Sequence, residues 1–335
     1  MSRAATGEEA IIQGFLAPLA AGYPGAFGLK DDAALLSLPP GTELVATMDA
    51  VASGVHFLPG DGPADIAWKA LAVNVSDLVG KGADPHAYLM SLSFPEPPDA
   101  GWLGEFANGL EAAQRAFAVT LVGGDTDRRP GPLTVTITAL GILPVGTMVR
   151  RGSAKPGDRL FVSGTLGDSA LGLALRRGDV QAAAWHLDEG QRQAIESAYL
   201  RPMPPCAVTA VLRAHASAAM DISDGLLKDL DRMARASGVS AFVRADALPL
   251  SVAATAVLER DESALSSVLT GGDDYQVLAA VPARSAEAVV AAADRVGVRL
   301  TEIGGIGSGE GVTLLSSDGQ PVALDRKAAS GYDHF

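Results

Sequence analysis

The residues in this chain that could do chemistry are carboxylates. Asp31-Asp32, Asp49, Asp77, Asp125, Asp221 with Asp224, and Asp273-Asp274 fall near glycines or hydroxyl residues, at points where strands or helices are expected to begin or end. Magnesium takes near-octahedral oxygen coordination from a few carboxylates, waters and phosphate oxygens. Carboxylates gathered in one place repel each other, so a site built from these motifs needs cations to form. Basic residues are scarce in the same motifs, and metals would have to do most of the charge neutralisation around a phosphate. The residues therefore point to an enzyme that handles phosphate with several magnesium ions. The turn Gly164-Thr165-Leu166-Gly167-Asp168-Ser169 lacks the Gly-Lys-Ser/Thr ending of a P-loop, and no protein-kinase signature is present.

Each motif also has a structural alternative. Met220-Asp221-Ile222-Ser223-Asp224-Gly225 precedes a helical stripe of Leu226, Leu227, Leu230 and Met233. It reads either as an Asp/Ser helix cap or as a loop whose helix N–H groups hold an anion. Asp49 follows a short strand expected over 43–47, where α/β folds carry functional groups. Asn74 and Asp77 stand three apart on an apolar helix expected over 64–80, as either an exposed stripe or a buried ligand pair. Gly123-Gly124-Asp125 after a strand over 119–122 is either a plain turn or a close approach of backbone to phosphate. His56, in a glycine-containing loop, is either packed or functional.

The remaining pattern alternates strands and helices. Helices are expected over 9–20, 102–117, 170–177, 191–200, 226–237 and 285–296, and strands over 88–94, 133–143, 159–163, 241–243, 276–281 and 300–304. The breaker-rich, basic stretch 146–159 with Arg150, Arg151 and Lys155 marks a domain junction. We expect domains at 1–148 and 149–335.

The chain has 335 residues, 48% of them hydrophobic, and 38 glycines, enough for two domains with large cores. Aromatics are 5%, so Ala, Val and Leu fill those cores. A net charge of −13 argues against nucleic-acid or membrane-surface partners. The single cysteine, Cys206, excludes a disulfide framework and a cysteine-based zinc site. The residues at the start of the sequence form no apolar signal segment, and no apolar run has the length of a membrane span, so a cytoplasmic protein is expected.

In chain order, Asp31-Asp32-Ala33-Ala34, Met48-Asp49-Ala50-Val51-x-x-Gly54-Val55-His56-Phe57, Leu71-Ala72-Val73-Asn74-Val75-Ser76-Asp77, Gly82-Ala83-Asp84-Pro85, Gly123-Gly124-Asp125-Thr126, Asp221-Ile222-Ser223-Asp224-Gly225-Leu226, Gly271-Gly272-Asp273-Asp274-Tyr275 and Gly331-Tyr332-x-His334-Phe335 closely resemble the thiamine-monophosphate kinases. These belong to the superfamily of aminoimidazole ribonucleotide synthetase. The resemblance implies a PurM-like N-terminal α/β domain and a PurM-C-like α+β domain. It also implies a homodimer and an ATP-dependent phosphotransferase whose acceptor is the phosphate of thiamine monophosphate. Position by position, it makes Asp32, Thr47, Met48, Asp49, Asp77, Asp125, Asp221 and Asp224 magnesium ligands. Gly124, Asp125, Arg151 and Ser223 become ATP contacts, and His56 and Asp273 substrate contacts. The chain departs from the family pattern at Lys30, where Gly-Asp-Asp is usual, and at Asp273 with Gln276, where Glu-Asp-Tyr-Glu is frequent. Lys327-Ala328-Ala329-Ser330 replaces the aromatic that some members carry before the terminal Gly-Tyr. Selenophosphate synthetase is disfavoured because it wants a reactive thiol early in the chain. Aminoimidazole ribonucleotide synthetase fits Val55-His56-Phe57 less well. A non-catalytic Mg-nucleotide-binding protein is the remaining alternative.

Overall fold

Two sheets, one in each half of the sequence, carry Asp49, Asp125 and Asp221 on their strands, whereas Asp77 lies on a helix and Asp31-Asp32, Asp224 and Asp273-Asp274 lie in loops. The structure is a computed structural model that describes residues 7–322. The terminal Gly331–Phe335 motif and the preceding Lys327–Ser330 lie outside the described residues. The chain divides into one unit of residues 1–78 and 83–146 and a second of residues 79–82 and 147–335.

The first unit contains strands β1 (Thr42–Ala52), β2 (Asp84–Phe94), β3 (Thr120–Arg128) and β4 (Thr134–Pro144) in the order β1-β4-β2-β3. β4 pairs antiparallel with β1 and with β2, whereas β2 and β3 are parallel. A parallel pair needs a crossover, supplied here by helix α2 (Ala100–Phe117). The Asp99 carboxylate caps that helix by accepting from the backbone N–H of Gly101 and Trp102. Helix α1 (Pro63–Gly80) precedes β2. Its apolar residues are buried almost all round, from Ile66 through Val79, the pattern of a helix with no solvent face.

The second unit holds β5 (Asp158–Ser163), helix α3 (Asp168–Arg177), α4 (Glu189–Leu200), α5 (Thr209–His215), β6 (Ala218–Asp221) and α6 (Leu226–Ser237). There follow β7 (Ser240–Arg244), α7 (Val252–Leu258), α8 (Leu265–Thr270), β8 (Val277–Pro282), α9 (Ala286–Arg295), β9 (Leu300–Gly307) and β10 (Val312–Leu315). Its sheet runs β10-β7-β9-β5-β8-β6. The core beneath it is aliphatic: Leu160, Leu166, Leu226, Leu230, Val243, Leu269 and Ile303 are all buried, as the low aromatic content requires. The architecture is thus α/β and α+β in two units.

Four local expectations need correction. Residues 8–20 form a short α-helix, a π turn and a 3-10 turn in succession, not one helix; Pro18 cannot donate to a continuous helix. β1 runs on to Ala52, so Asp49 lies inside a strand opposite Ile137, not at a strand end. β3 continues to Arg128, so Gly123-Gly124-Asp125 is strand and not turn. Met220 and Asp221 end β6, a strand absent from the expected elements. In each strand case, ladder pairing with a distant neighbour overrides the local breaker or polar signal.

Candidate active site

In the first unit, β1 and α1 meet through polar side chains. The Thr47 hydroxyl donates to Asp77 Oδ2 at 2.5 Å. The Asp49 backbone N–H donates to Asn74 Oδ1 at 2.8 Å, and Asn74 Nδ2 donates to the Ala70 carbonyl at 3.0 Å. The Asn74/Asp77 stripe therefore faces β1, with Asn74 buried. Asn74 fixes the backbone from which the exposed Met48 and Asp49 project, and a buried amide left without these partners would be costly.

A second constellation in the same unit is a cavity of about 710 Å³. Asp31 and Asp32 line it together with Gly123, Gly124, Asp125 and Thr126, over an apolar wall that includes Leu89, Met90 and Leu121. Two motifs roughly ninety residues apart in sequence thus share one hollow. Asp31 Oδ1 accepts from the Asp32 N–H, and Asp125 Oδ1 accepts from the Thr126 N–H. Each of those carboxylates is steadied by the following peptide. Gly124 has φ +155°, and a Cβ there would stand 1.8 Å from the Met90 carbonyl oxygen, so only glycine fits. His56 sits in the loop after β1, its Nδ1 accepting from the Ala52 N–H at 3.1 Å. In the neutral ring that leaves the proton on Nε2.

In the second unit, β6 delivers Asp221 buried at its end, and residues 222–225 form a loop into α6. No side chain caps α6; its N-cap is Gly225 at φ +111°. The Ser223 and Asp224 N–H groups do not face an outside anion. Both donate, at 2.9 Å, to Asp229 Oδ2 from within α6. Asp229 is fully buried. Burial pushes its pKa up, opposed by the Asp224 N–H and Arg232. Arg232 Nη1 donates to Asp229 Oδ1 at 2.8 Å, and Nη2 lies 2.6 Å from Asp224 Oδ2. Lys228 Nζ reaches the same Asp224 oxygen at 3.4 Å. Burial disfavours the Arg232 charge, but the two carboxylates outweigh it and hold the guanidinium above its ordinary value. Asp229 was missed in the sequence, although its position three after Leu226 and four before Met233 puts it on the buried stripe.

The loop Gly271–Tyr275 is laid along this one. The Asp273 N–H donates to the Ser223 carbonyl, the Tyr275 N–H to the Ile222 carbonyl and the Ile222 N–H to the Gln276 carbonyl, each at 2.8 Å. Asp273 and Tyr275 adopt left-handed φ values of +62° and +48°, conformations that persist only where surrounding bonds impose them. The Tyr275 hydroxyl donates to Asp273 Oδ1 at 2.9 Å. Asp274 is buried between them, Oδ1 accepting from the Gly167 N–H at 2.8 Å and Oδ2 without a hydrogen-bond partner among the described residues. Burial above all, with Asp168, Asp273 and Asp229 nearby, raises its pKa well above the usual carboxylate range despite the Gly167 N–H. Arg151 is exposed in the turn Arg151–Ser153, where its carbonyl accepts from the Ser237 hydroxyl.

The structure thus joins Thr47 to Asp77, Asp49 to Asn74, Asp32 to the Gly124-Asp125 segment, and Ser223 to Asp273. Among the described residues, no three His, Cys, Asp or Glu side chains converge on one ion position. Magnesium is nonetheless compatible with these residues. The donors are all hard oxygens, Asp125 is steadied by the Thr126 N–H and Asp77 by the Thr47 hydroxyl, and such an ion takes much of its shell from water and phosphate.

Comparison with known proteins decides the family. The model for AIR synthase related protein, N-terminal domain, matches residues 30–143, and that for AIR synthase related protein, C-terminal domain, matches residues 155–316. The thiamine-monophosphate kinase of Salmonella typhimurium is 42% identical over 309 residues, covering 92% of this chain and 91% of that one. The chain belongs to the thiamine-monophosphate kinase family. A crystal structure of the Stenotrophomonas maltophilia thiamine-monophosphate kinase matches with a TM-score of 0.79 and 40% identity, covering 88% of this chain and 91% of that one. A structure of AaThiL complexed with AMPPCP and TMP matches with a TM-score of 0.75 and 31% identity over 98% of this chain and 97% of that one. The departures at Lys30, Asp273 and Gln276 are therefore variations within a thiamine-monophosphate kinase.

Proposed function

We propose that this chain transfers the γ-phosphoryl group of ATP to the phosphate of thiamine monophosphate, giving thiamine diphosphate and ADP. The observation that carries the reading is the full-length likeness to thiamine-monophosphate kinases, at 42% identity over 91% of the Salmonella typhimurium protein. An oxygen of the acceptor phosphate attacks the γ-phosphorus in line. The new P–O bond forms as the bond from that phosphorus to the β,γ-bridging oxygen breaks, and ADP leaves with the electron pair. A phosphate monoester is already largely ionised at neutral pH, with a second pKa of about 6, so the nucleophile needs no general base. Catalysis rests on positioning and charge neutralisation.

Asp32, Asp49, Asp77 and Asp125 of the first unit and Asp221 and Asp224 of the second are the residues that would hold magnesium, with oxygens from Thr47 and Met48. Bound there, magnesium supplies neutralisation of the phosphate oxygens. Gly124, Asp125, Arg151 and Ser223 contact ATP in this reading, Gly124 through backbone that lines the cavity. His56 and Asp273 contact thiamine monophosphate, and the Ala52 and Tyr275 hydrogen bonds orient those two side chains. The protein acts as a homodimer, for which the exposed Leu44 and Met48 on β1 offer an apolar surface at a sheet edge. ATP as co-substrate favours the cytoplasm. Among the described residues no helix is long and apolar enough to cross a membrane. Release of ADP measured in a coupled assay, with and without thiamine monophosphate, tests the reading. ADP release indifferent to thiamine monophosphate would overturn it, as would tight Mg-ATP binding with no turnover.

A further inference from the structure

The carboxylate of Asp224 already has cations on it. Arg232 Nη2 stands 2.6 Å from Oδ2, and Lys228 Nζ stands 3.4 Å from the same oxygen. The other side of the guanidinium is tied to Asp229, which is itself buried and locked by the Ser223 and Asp224 N–H groups. Arg232 thus bridges one carboxylate that cannot move and one on the loop. A magnesium ion binds a carboxylate oxygen at about 2.0–2.1 Å. An ion arriving at Oδ2 meets a guanidinium already hydrogen-bonded there and an ammonium close by, and like charges that close repel.

We propose that Arg232 is a built-in counter-ion of Asp224, and that a divalent cation loads Asp224 by exchange with the Nη2 end of Arg232. This rests on the reading of Asp224 as a metal ligand. Asp229 keeps the Nη1 end, so the displaced guanidinium stays beside the loop. The exchange raises the divalent-ion concentration at which Asp224 is occupied. It also accounts for two cations next to a motif whose own residues are acidic and small.

The test is direct titration of the full-length protein with Mn2+ by calorimetry, without nucleotide, on wild type, Arg232→Met, Arg232→Gln and Asp224→Asn. The counter-ion role predicts that the site lost in Asp224→Asn binds Mn2+ about fivefold tighter in Arg232→Met, or about 1 kcal/mol at 1.4 kcal/mol per tenfold. Arg232→Gln, which keeps a donor for Asp229, shifts in the same direction, and added salt narrows the wild-type-to-variant difference. Affinity unchanged or weakened in both Arg232 variants, with the site still lost in Asp224→Asn, overturns the counter-ion role alone. An unaltered site in Asp224→Asn overturns the ligand reading beneath it.

Discussion

Replacing Gly124 by alanine tests how the cavity wall is built. Gly124 faces Met90 across the parallel β2–β3 pair. The added Cβ would fall 1.8 Å from the Met90 carbonyl oxygen and 2.7 Å from its carbon, about 1.2 Å inside the closest approach of real Cβ atoms. The obstacle is backbone inside a ladder, so β3 must move off β2. Two ladder hydrogen bonds at about 1 kcal/mol each and overpacking of about 1–3 kcal/mol give a loss of about 3–5 kcal/mol. At about 2–4 °C per kcal/mol, the melting transition falls by roughly 6–20 °C. Asp125 follows in the same strand, and a shift of about 1 Å in a positioning group costs on the order of 100-fold in rate. Gly131→Ala is the control. It has φ +127° but nothing within 4 Å of its Cβ, so it carries strain without collision, about 1–2 kcal/mol. Calorimetric melting and ADP release are measured on both variants. If Gly124→Ala melts within about 2 °C of Gly131→Ala and turns over within about twofold of it, the steric argument is wrong.

Asp49→Asn and Asp224→Asn each abolish most ADP release while circular dichroism stays that of wild type; full activity in both variants would remove those residues from the metal set. Thr47→Val breaks the bond to Asp77 and lowers stability by about 1.5–3 kcal/mol in urea denaturation. Asp274 supplies a pH signature. Its pKa is raised in the folded protein above the ordinary 3.8, so wild type loses stability as pH climbs from about 4 through the raised folded value. Asp274→Asn keeps an acceptor for the Gly167 N–H without a titrating group, so its stability advantage over wild type grows across that window. Parallel stability–pH curves for the two proteins would refute the assignment.

Local pattern was enough where one face of an element decides it. The span of α6 follows from Leu226, Leu227, Leu230 and Met233, all buried in the structure, and the family motifs were readable because chemistry fixes their residue types. Pattern failed where a distant neighbour decides. The glycines at 123 and 124 look like breakers, yet the second one is demanded by the Met90 carbonyl on another strand. Asp49 looked terminal because nothing local reveals pairing with Ile137. That Asp229 holds the N–H groups of Ser223 and Asp224 was not legible, because a charge at position 229 reads as solvated until burial is known.

The short ladder between residues 222–223 and 273–276 has a thermodynamic consequence. Neither loop can be ordered or loosened alone, since three main-chain bonds and two left-handed residues tie their conformations together. A molecule that immobilises one loop removes the disorder of both, and a second molecule then meets a surface already fixed. Two ligands touching different loops would help each other by this route without any change of average structure. By reciprocity, each would strengthen the other's binding by the same factor.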